Sequence, residues 1–203
     1  MQTIVLATGN AHKLKEFREM LPQYNIITMK DIGFLGDIVE DGNSFLDNSY
    51  IKASTIAKYL RENNLDYWVM ADDSGICCEA LSGMPGIYSA RYAGLNATDE
   101  DNRQKLLSDL KDVDNRKAYF SSVIICIRPD GKYTLGEGYT SGLVVDEYRG
   151  DTSFGYDCIF YSNDLSKTFG EASAEEKNSV SHRNRALVDL IRNIDKDDWR
   201  DWK

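Results

Sequence analysis

A short apolar strand, a glycine turn and an amphipathic helix follow one another at the start of the chain, and this order limits the fold more than any other feature. Residues 3–7 (TIVLA) are apolar and largely β-branched, which favours a buried strand. A turn signal follows at residues 8–10 (TGN), and Leu14, Phe17 and Leu21 then recur at the spacing of one helix face. A strand that leads through a glycine turn into a helix predicts an α/β protein.

Strands and helices alternate along the rest of the chain. Ser44, at the end of the turn sequence DGNS, is an N-cap candidate for a long helix that reaches about Leu60. The apolar run WVMA at residues 68–71 predicts a buried strand that ends where acidic residues begin. Further predictions are a strand at 26–29, a helix at 99–111, a hairpin of strands 119–127 and 133–139, and a last helix at 182–194. The sequence carries no repeat or linker, so residues 1–203 are expected to form a single domain.

Composition and charge limit the partners of such a protein. The chain has 42% hydrophobic residues and 3 Pro, enough for a packed core. Its 33 acidic and 24 basic residues give a net charge of -9, and such a field repels nucleic-acid backbones and anionic membranes. The first residues, MQTIVLATGN, do not have the basic segment and long apolar core typical of an export signal, and no stretch approaches the roughly 18 apolar residues that a spanning helix needs. We therefore expect a cytoplasmic protein with no nucleic-acid or membrane partner.

The four cysteines allow a simple interpretation. They lie at Cys77, Cys78, Cys126 and Cys158, and none falls in a C-x-x-C spacing. With 2 His in the chain, a structural zinc site is not expected. Reduced cysteines in packed positions are the expectation.

The first turn carries polar residues suited to an anion. It consists of Thr8, Gly9, Asn10, Ala11, His12 and Lys13. Free N–H groups at a helix start favour an anion, and Lys13 lies within reach of one. Neither usual glycine-rich phosphate loop occurs in the chain. A plain capped turn between strand and helix is the simpler interpretation of this segment taken alone.

A lysine falls on the apolar arc of the long predicted helix. At helical spacing, Lys52 lies close to the arc of Phe45 and Ser49, and Asn48 is one turn earlier. Either its stem reaches out to solvent, or its ammonium meets a buried anion. The helix pattern leaves both interpretations open.

Two adjacent carboxylates, Asp72 and Asp73, follow the strand predicted at 68–71, and Glu40 lies upstream. Carboxylates at a strand end must be solvated, paired or bound to a cation, and ligand sites of α/β proteins lie at such ends. Oxygen ligands without His or Cys favour Mg²⁺ over Zn²⁺. The alternative is an Asp turn that caps the next element.

The last third of the chain combines aromatic, acidic and cationic residues. They are Ser153, Phe154, Gly155, Tyr156 and Asp157, then Lys177, then Ser181, His182 and Arg183. A purine pocket needs an aromatic face for stacking and polar groups at the edge of the base. A core Phe154 and a helix-capping Ser181 with solvated neighbours are the plainer interpretation.

Taken together, five stretches resemble the inosine/xanthosine triphosphate pyrophosphatase family in order and spacing. They are IVLATGNAHKLKEF, EDGNSFLDNSYIKA, ADDSGICCEALSGMPGIYSARYAG, SFGYDCIFY and EEKNSVSHRNRAL. The resemblance extends from Thr3 to about Ile194. It implies hydrolysis of non-standard purine nucleoside triphosphates. It also implies a homodimer and an α/β fold, with a long central mixed sheet flanked by helices and two lobes around a substrate cleft.

The resemblance assigns roles residue by residue. Glu40 and Asp73 match Mg²⁺ ligands, Asp73 also matches the proton acceptor, and Asp72 lies beside it as a less certain ligand. The residues that match substrate contacts are Thr8, Gly9, Asn10, Ala11, His12, Lys13, Lys52, Ser74, Phe154, Gly155, Tyr156, Asp157, Lys177, His182 and Arg183. The sequence departs from the usual pattern at Ala11-His12, at Asp47-Asn48-Ser49, at Cys77-Cys78 and at Cys158.

These roles lead to a mechanistic hypothesis. A water activated by Asp73 attacks the α-phosphorus and releases pyrophosphate, while Mg²⁺, Lys13 and Lys52 offset the phosphate charge. A pocket that donates to the 6-oxo group of hypoxanthine or xanthine leaves buried groups unpaired against adenine. Two alternatives remain at this point: a pyrophosphatase of modified pyrimidine nucleotides, and a nucleotide-binding module without turnover.

Overall fold

The computed structural model describes residues 2–201, and these divide into two compact units. Unit 1 comprises the described residues in 2–73, 123–137 and 186–201, and unit 2 comprises residues 74–122 and 138–185. The helices are α1 (Ala11–Met20), α2 (Phe45–Glu62), α3 (Asp99–Asp109), α4 (Ala174–Val180) and α5 (His182–Asp195). The strands are β1 (Thr3–Leu6), β2 (Asn25–Thr28), β3 (Trp68–Cys78), β4 (Lys117–Ile127), β5 (Lys132–Val144), β6 (Phe160–Ser162), β7 (Lys167–Thr168) and β8 (Arg200–Asp201).

The strands form a mixed sheet, which confirms the α/β prediction. The strand order is β2-β1-β3-β4-β5-β6-β7, and β8 pairs with β5. β1 is parallel to β2 and β3, whereas β6 is antiparallel to β5 and β7. Among the described residues, no helix is long and apolar enough to cross a membrane.

Alternation along β1 divides the core of unit 1 into two layers. Ile4 and Leu6 pack in one cluster with Phe17 of α1 and Leu187 of α5. The other face, which includes Val5, packs against the buried side of α2. Helices therefore cover both faces of this part of the sheet, as the near-continuous apolar strands require.

Unit 2 has its own core. Most of its members come from the second half of β3, from α3 and its C-cap, from β4 and from residues 156–160, and Val144 and Phe169 complete it. Phe120 is an anchor of this cluster, since its ring packs edge-on against Phe160 at a centroid distance of 4.7 Å. All four cysteines are buried and unpaired in disulfides, as expected for packed thiols.

Most predicted elements are confirmed, with Ser44 capping α2 through a bond from the Asp47 amide. The predicted end of the third strand is wrong. β3 does not stop before Asp72 but continues through Asp73 to Cys78. The strand continues because each carboxylate meets a lysine, as described below, which removes the penalty of an unpaired buried charge. The Asp-turn alternative fails for the same reason.

Within residues 2–201, the sequence patterns missed one α-helix and three β-strands. They are α4, β6, β7 and β8. All but α4 are strands of three residues or fewer, too short for a period to be read. The C-terminal tail also has a structural role, since Trp199 packs edge-on against Trp68 and lies under the guanidinium of Arg128.

Candidate functional site

Consecutive residues of a strand point to opposite sides of the sheet. Asp72 and Asp73 of β3 therefore project in opposite directions, and each meets a different lysine. The Nζ of Lys13 lies 2.8 Å from Oδ2 of Asp72 and also donates to the Asp72 carbonyl at 3.4 Å. Asp73 is turned to the other side and meets Lys52. The two carboxylates are therefore directed to different lysines.

Lys52 joins two carboxylates in unit 1. Its Nζ lies 2.5 Å from Oε2 of Glu40 and 3.3 Å from Oδ1 of Asp73. The side chain is buried on the inner face of α2. Of the two interpretations left by the helix pattern, the structure shows the one in which the ammonium meets buried anions.

Electrostatics in this cluster keep the lysine charged and perturb the aspartate. Burial pulls the pKa of Lys52 down, but the charges of Asp73 and Glu40 outweigh burial and leave the pKa raised. Burial raises the pKa of Asp73, and the ammonium groups of Lys52 and Lys13 offset only part of that effect. A carboxylate with a raised pKa is suited to accept a proton near neutral pH.

Asn48 fixes the orientation of Asp73. Its Nδ2 donates to Oδ2 of Asp73 at 3.2 Å, and its Oδ1 accepts from the amide of Gly42 at 2.9 Å. A Cβ at Gly42 would lie 2.5 Å from the Cβ of Asp47 and 2.8 Å from Oδ1 of Asn48, so only glycine fits there. One buried amide thus ties Asp73 to the segment that follows Glu40. The position of Asn48 one turn before Lys52 is the only feature of the sequence that indicates this role.

The turn from residue 8 to residue 13 is a well-formed helix cap. The side chain of Asn10 accepts from the amides of His12 and Lys13, at 2.9 and 3.2 Å. Thr8 Oγ1 accepts from the Asn10 amide at 3.1 Å. The structure thus shows the capped turn, with Lys13 directed to Asp72. The phosphate contacts that the resemblance assigns to Thr8, Gly9, Asn10, Ala11, His12 and Lys13 stay predictions.

The donor set around Lys52 has the chemistry of a magnesium site. Glu40 and Asp73 already direct oxygens toward one shared cation, the Lys52 ammonium. Mg²⁺ is commonly held by one or two protein carboxylates together with substrate phosphates. In the part of the chain that the structure describes, no group of three or more His, Cys, Asp or Glu is arranged to hold a metal alone. The residues therefore fit an ion that completes its coordination with substrate and water.

Unit 2 brings together three of the residues predicted to contact a base. The Nζ of Lys177 lies 2.5 Å from Oδ2 of Asp157 and 5.0 Å from the ring centre of Phe154. Lys177 and Asp157 are buried, whereas Phe154 is half-buried. Phe154 is therefore not the core residue of the plainer interpretation, and the three side chains form one aromatic and charged cluster.

The start of α5 supplies two more predicted contacts. The ring of His182 stacks on Phe120, with 4.7 Å between centroids and 13° between planes. Nη2 of the buried Arg183 donates to Oγ of Ser74 at 2.9 Å. Ser181 caps the helix by accepting from the Asn184 amide at 3.1 Å, as the plainer interpretation expects.

Tyr156 and Gly155 are held by neighbours that the sequence patterns missed. The hydroxyl of Tyr156 donates to the Ser89 carbonyl at 2.7 Å, and its ring lies in the core of unit 2. A ligand contact of Tyr156 would thus rely on its main chain. Gly155 is bonded to Asp99 and Arg103 of α3. No signal beyond an arginine within an amphipathic helix points to that bond.

The fold and the clusters define an α/β protein with buried lysines that are paired with carboxylates in each of its two units. The chain belongs to the Ham1 family, whose sequence model matches residues 4–193. This confirms the family expected from the five stretches.

Several known proteins are similar to this chain. A dITP/XTP pyrophosphatase of Clostridium perfringens is 44% identical over 199 residues, which cover 96% of this chain and 98% of the relative. One from Thermoanaerobacter pseudethanolicus is 45% identical and covers 92% and 93%. The solved Ham1 protein of Staphylococcus aureus has a TM-score of 0.83 and 38% identity, and the match covers 97% of this chain and 100% of that one.

Proposed function

We propose that this protein is a nucleoside triphosphate pyrophosphatase that hydrolyses non-standard purine nucleotides, namely ITP, dITP and XTP, to the monophosphate and pyrophosphate. The observation that carries the proposal is the buried Lys52 ammonium between Glu40 and Asp73. It lies in a chain 44% identical to a protein named dITP/XTP pyrophosphatase. The activity would remove such nucleotides from the pool.

The phosphates are held by cations of unit 1. Lys13 and Lys52 are anchored by Asp72 and Asp73, so their positions are set before a ligand arrives. Preorganised charge of this kind stabilises the charge that develops on a departing pyrophosphate. In the residue 8–13 turn, the amides of Gly9 and Ala11 are the main-chain donors proposed for the phosphates, since those of His12 and Lys13 donate to Asn10.

Asp73 accepts the proton of the attacking water. Burial raises its pKa, and Asn48 fixes one of its oxygens at 3.2 Å, so the other oxygen is oriented toward Lys52. Mg²⁺ is the proposed cofactor; Glu40 and Asp73 would hold it, and it would neutralise phosphate charge and acidify water. Asp72, turned to the other side and paired with Lys13, has weaker support as a ligand.

The base is bound by residues of unit 2. Phe154 offers a face for stacking, and Asp157 with Lys177 offers a paired acceptor and donor. Ser74, Gly155, Tyr156, His182 and Arg183 complete the proposed set. A donor to the 6-oxo group favours hypoxanthine and xanthine over adenine, because adenine leaves that donor unpaired.

Assembly and location complete the proposal. We infer a single-domain cytoplasmic enzyme that works as a homodimer without nucleic-acid or membrane partners. The net charge of -9 supports the absence of a polyanionic partner. Light scattering coupled to size exclusion gives the oligomeric state, and a monomer mass would contradict the dimer.

Pyrophosphate release with added Mg²⁺ tests the activity. Wild type is expected to cleave ITP, dITP and XTP well and ATP poorly, measured as kcat/KM over a panel that includes modified pyrimidine triphosphates. Asp73→Asn should lower turnover at least about a hundredfold. Asp66→Asn, at an exposed position of the same unit, is the matched control.

The panel also separates the alternatives. Preferred cleavage of pyrimidine nucleotides would replace the substrate class. Nucleotide binding without pyrophosphate release would indicate a binding module. Full turnover by Asp73→Asn would remove Asp73 from the chemistry.

A further inference from the structure

One helix holds the peptide groups on both sides of Gly155. The Gly155 amide donates to Oδ2 of Asp99 at 2.7 Å, and its carbonyl accepts from Nη1 of Arg103 at 2.6 Å. Asp99 and Arg103 are four residues apart at the start of α3, so they share a helix face. Gly155 has φ of +49°, a left-handed conformation that favours glycine. Two charged side chains thus fix an unusual backbone shape.

Arg103 is itself rigidly held. The residue is only 4% exposed, and its Nη2 donates to Oε2 of Glu100 at 3.0 Å. The guanidinium lies 5.4 Å from the ring centre of Tyr148. Tyr148 in turn donates its hydroxyl to Oε1 of Glu100 at 3.0 Å. A buried guanidinium with a stacked ring and an acid partner has little freedom, which suits it to hold a neighbouring loop in place.

Gly155 sits between residues with roles at the proposed base site. Phe154 precedes Gly155, and the Phe154 carbonyl accepts a hydrogen bond from the Asp157 amide at 3.3 Å. Lys177 contacts both Phe154 and Asp157. A change in the Gly155 peptides would therefore redirect the stacking ring and shift the acid–lysine pair.

We propose that Asp99 and Arg103 are positioning residues that set the base selectivity of the enzyme through Gly155; this inference rests on the proposed function. Discrimination between bases requires donors and acceptors placed to within a fraction of an ångström, since a misplaced group favours no base over another. The Asp99–Arg103 clamp provides that placement without contacting the nucleotide.

The test compares selectivity, which is independent of the fraction of active protein. The readout is the ratio of kcat/KM for ITP to kcat/KM for ATP. Asp99→Ala removes the acceptor of the Gly155 amide at an exposed position, so the fold should survive. We expect the ratio to fall by about tenfold or more, the effect of one lost hydrogen bond to a charged group. Asp99→Asn keeps an oxygen acceptor and should retain the wild-type ratio.

Asp101→Ala is the matched control. Asp101 is an exposed acid in the same helical turn, and it forms a capping box with Thr98. Its loss weakens α3 without removing a bond to Gly155, so stability should fall while the ratio stays unchanged. A second pair, Arg103→Met and Arg116→Met, repeats the comparison, because Arg116 also holds main-chain carbonyls, those of Leu110 and Val144.

Binding of the product IMP, measured by calorimetry, gives a readout besides turnover. Affinity should fall in Asp99→Ala and Arg103→Met and persist in Asp99→Asn and in both controls. An unchanged ratio in Asp99→Ala, or an equal loss in Asp101→Ala, overturns the positioning role. Absence of pyrophosphate release from ITP by the wild type instead overturns the proposed function, and the inference with it.

Discussion

Lys52 shows how a single buried residue links stability to chemistry. Its ammonium lies between Glu40 and Asp73 and offsets the repulsion between these two carboxylates in unit 1. Removing one partner of a buried ion pair leaves an uncompensated charge. The residue that positions the acids is thus also the one that makes their burial tolerable.

Replacing Lys52 should therefore lower both the stability of the fold and the rate of turnover. Lys52→Met is expected to lower the free energy of unfolding by about 3 kcal/mol and turnover at least about a hundredfold. Chemical denaturation and pyrophosphate release measure the two effects. Lys58→Met removes the same charge from the same helix, where the side chain is 72% exposed and pairs with Glu62 at 4.0 Å. This control should change little, and a wild-type stability of Lys52→Met would contradict the neutralising role.

Polar residues of the site could be selected from the sequence, but their partners could not. The sequence alone shows the paired Asp residues after an apolar run and the lysine on the apolar arc of a helix. The lysine that each carboxylate meets depends on the side of β3 from which that carboxylate projects. This side is set by the continuation of the strand beyond Asp72, which the sequence pattern did not predict. Arg103 was missed because its acceptor lies 52 residues away.

At the scale of elements, one local motif recurs at four places. A hydroxyl residue and an acid three positions later exchange hydrogen bonds, and two of the four start helices, α3 and α4. The pairs are Thr28 with Asp31, Thr98 with Asp101, Thr168 with Glu171 and Ser173 with Glu176. Bonds from the hydroxyl and amide groups of the paired threonine lower the pKa of Asp31, Asp101 and Glu171. At Glu176 the hydrogen bond from the Lys167 ammonium lowers the pKa most, and the Ser173 amide adds to this effect.

This motif predicts a loss of stability in acid. Since the folded pKa of Asp101 lies below its unfolded value, the unfolded chain binds the proton first as the pH falls. The contribution is complete above the unfolded pKa of about 4 and disappears as the pH falls through the folded pKa. Unfolding free energies at several pH values below 5 should fall less steeply for Asp101→Asn than for wild type. An equal slope would contradict the assignment, and Asp66→Asn serves as the charge control.

The packing of α5 on β5 depends on a missing side chain. A Cβ at Gly136 would lie 2.2 Å from the Ala186 carbonyl oxygen and 2.3 Å from the Leu190 amide nitrogen. Since both are main-chain atoms, the helix must move to admit a methyl group. Gly136→Ala should lower stability by about 1–3 kcal/mol, seen as a lower melting temperature. Gly36→Ala, which would contact only the Phe34 ring at 3.3 Å, should have a smaller effect.

Helices were predicted with nearly correct limits where the periodic pattern of apolar residues extends over several turns. α2 and α5 carry apolar stripes over several turns, and their predicted limits are close to the observed ones. β3 failed because its middle residues are acidic, and a sequence pattern cannot show that a lysine from another element neutralises them. Tertiary pairing there overrode the local signal.

For the molecule as a whole, an acidic net charge coexists with buried cations that are paired with carboxylates. The chain carries -9, yet Lys52, Lys177 and Arg183 are buried in the two clusters proposed to bind nucleotide. The acidic composition predicts that the protein has no polyanionic partner, and it does not exclude a small anion. Composition cannot show that folding buries Lys52 within unit 1 and Lys177 and Arg183 within unit 2.

The buried cysteines give each unit its own reporter of opening. Burial raises the pKa of Cys126 in unit 1 and of Cys78 in unit 2 to about 12, and a protonated thiol in a closed core does not react with alkylating agents. Native protein should therefore resist alkylation and become labelled only as the chain opens. Pulses of alkylating reagent at increasing denaturant concentrations, followed by mass spectrometry, would compare the extent of labelling at Cys126 with that at Cys78. Equal labelling curves mean that the units open cooperatively, and separate curves rank their local stabilities.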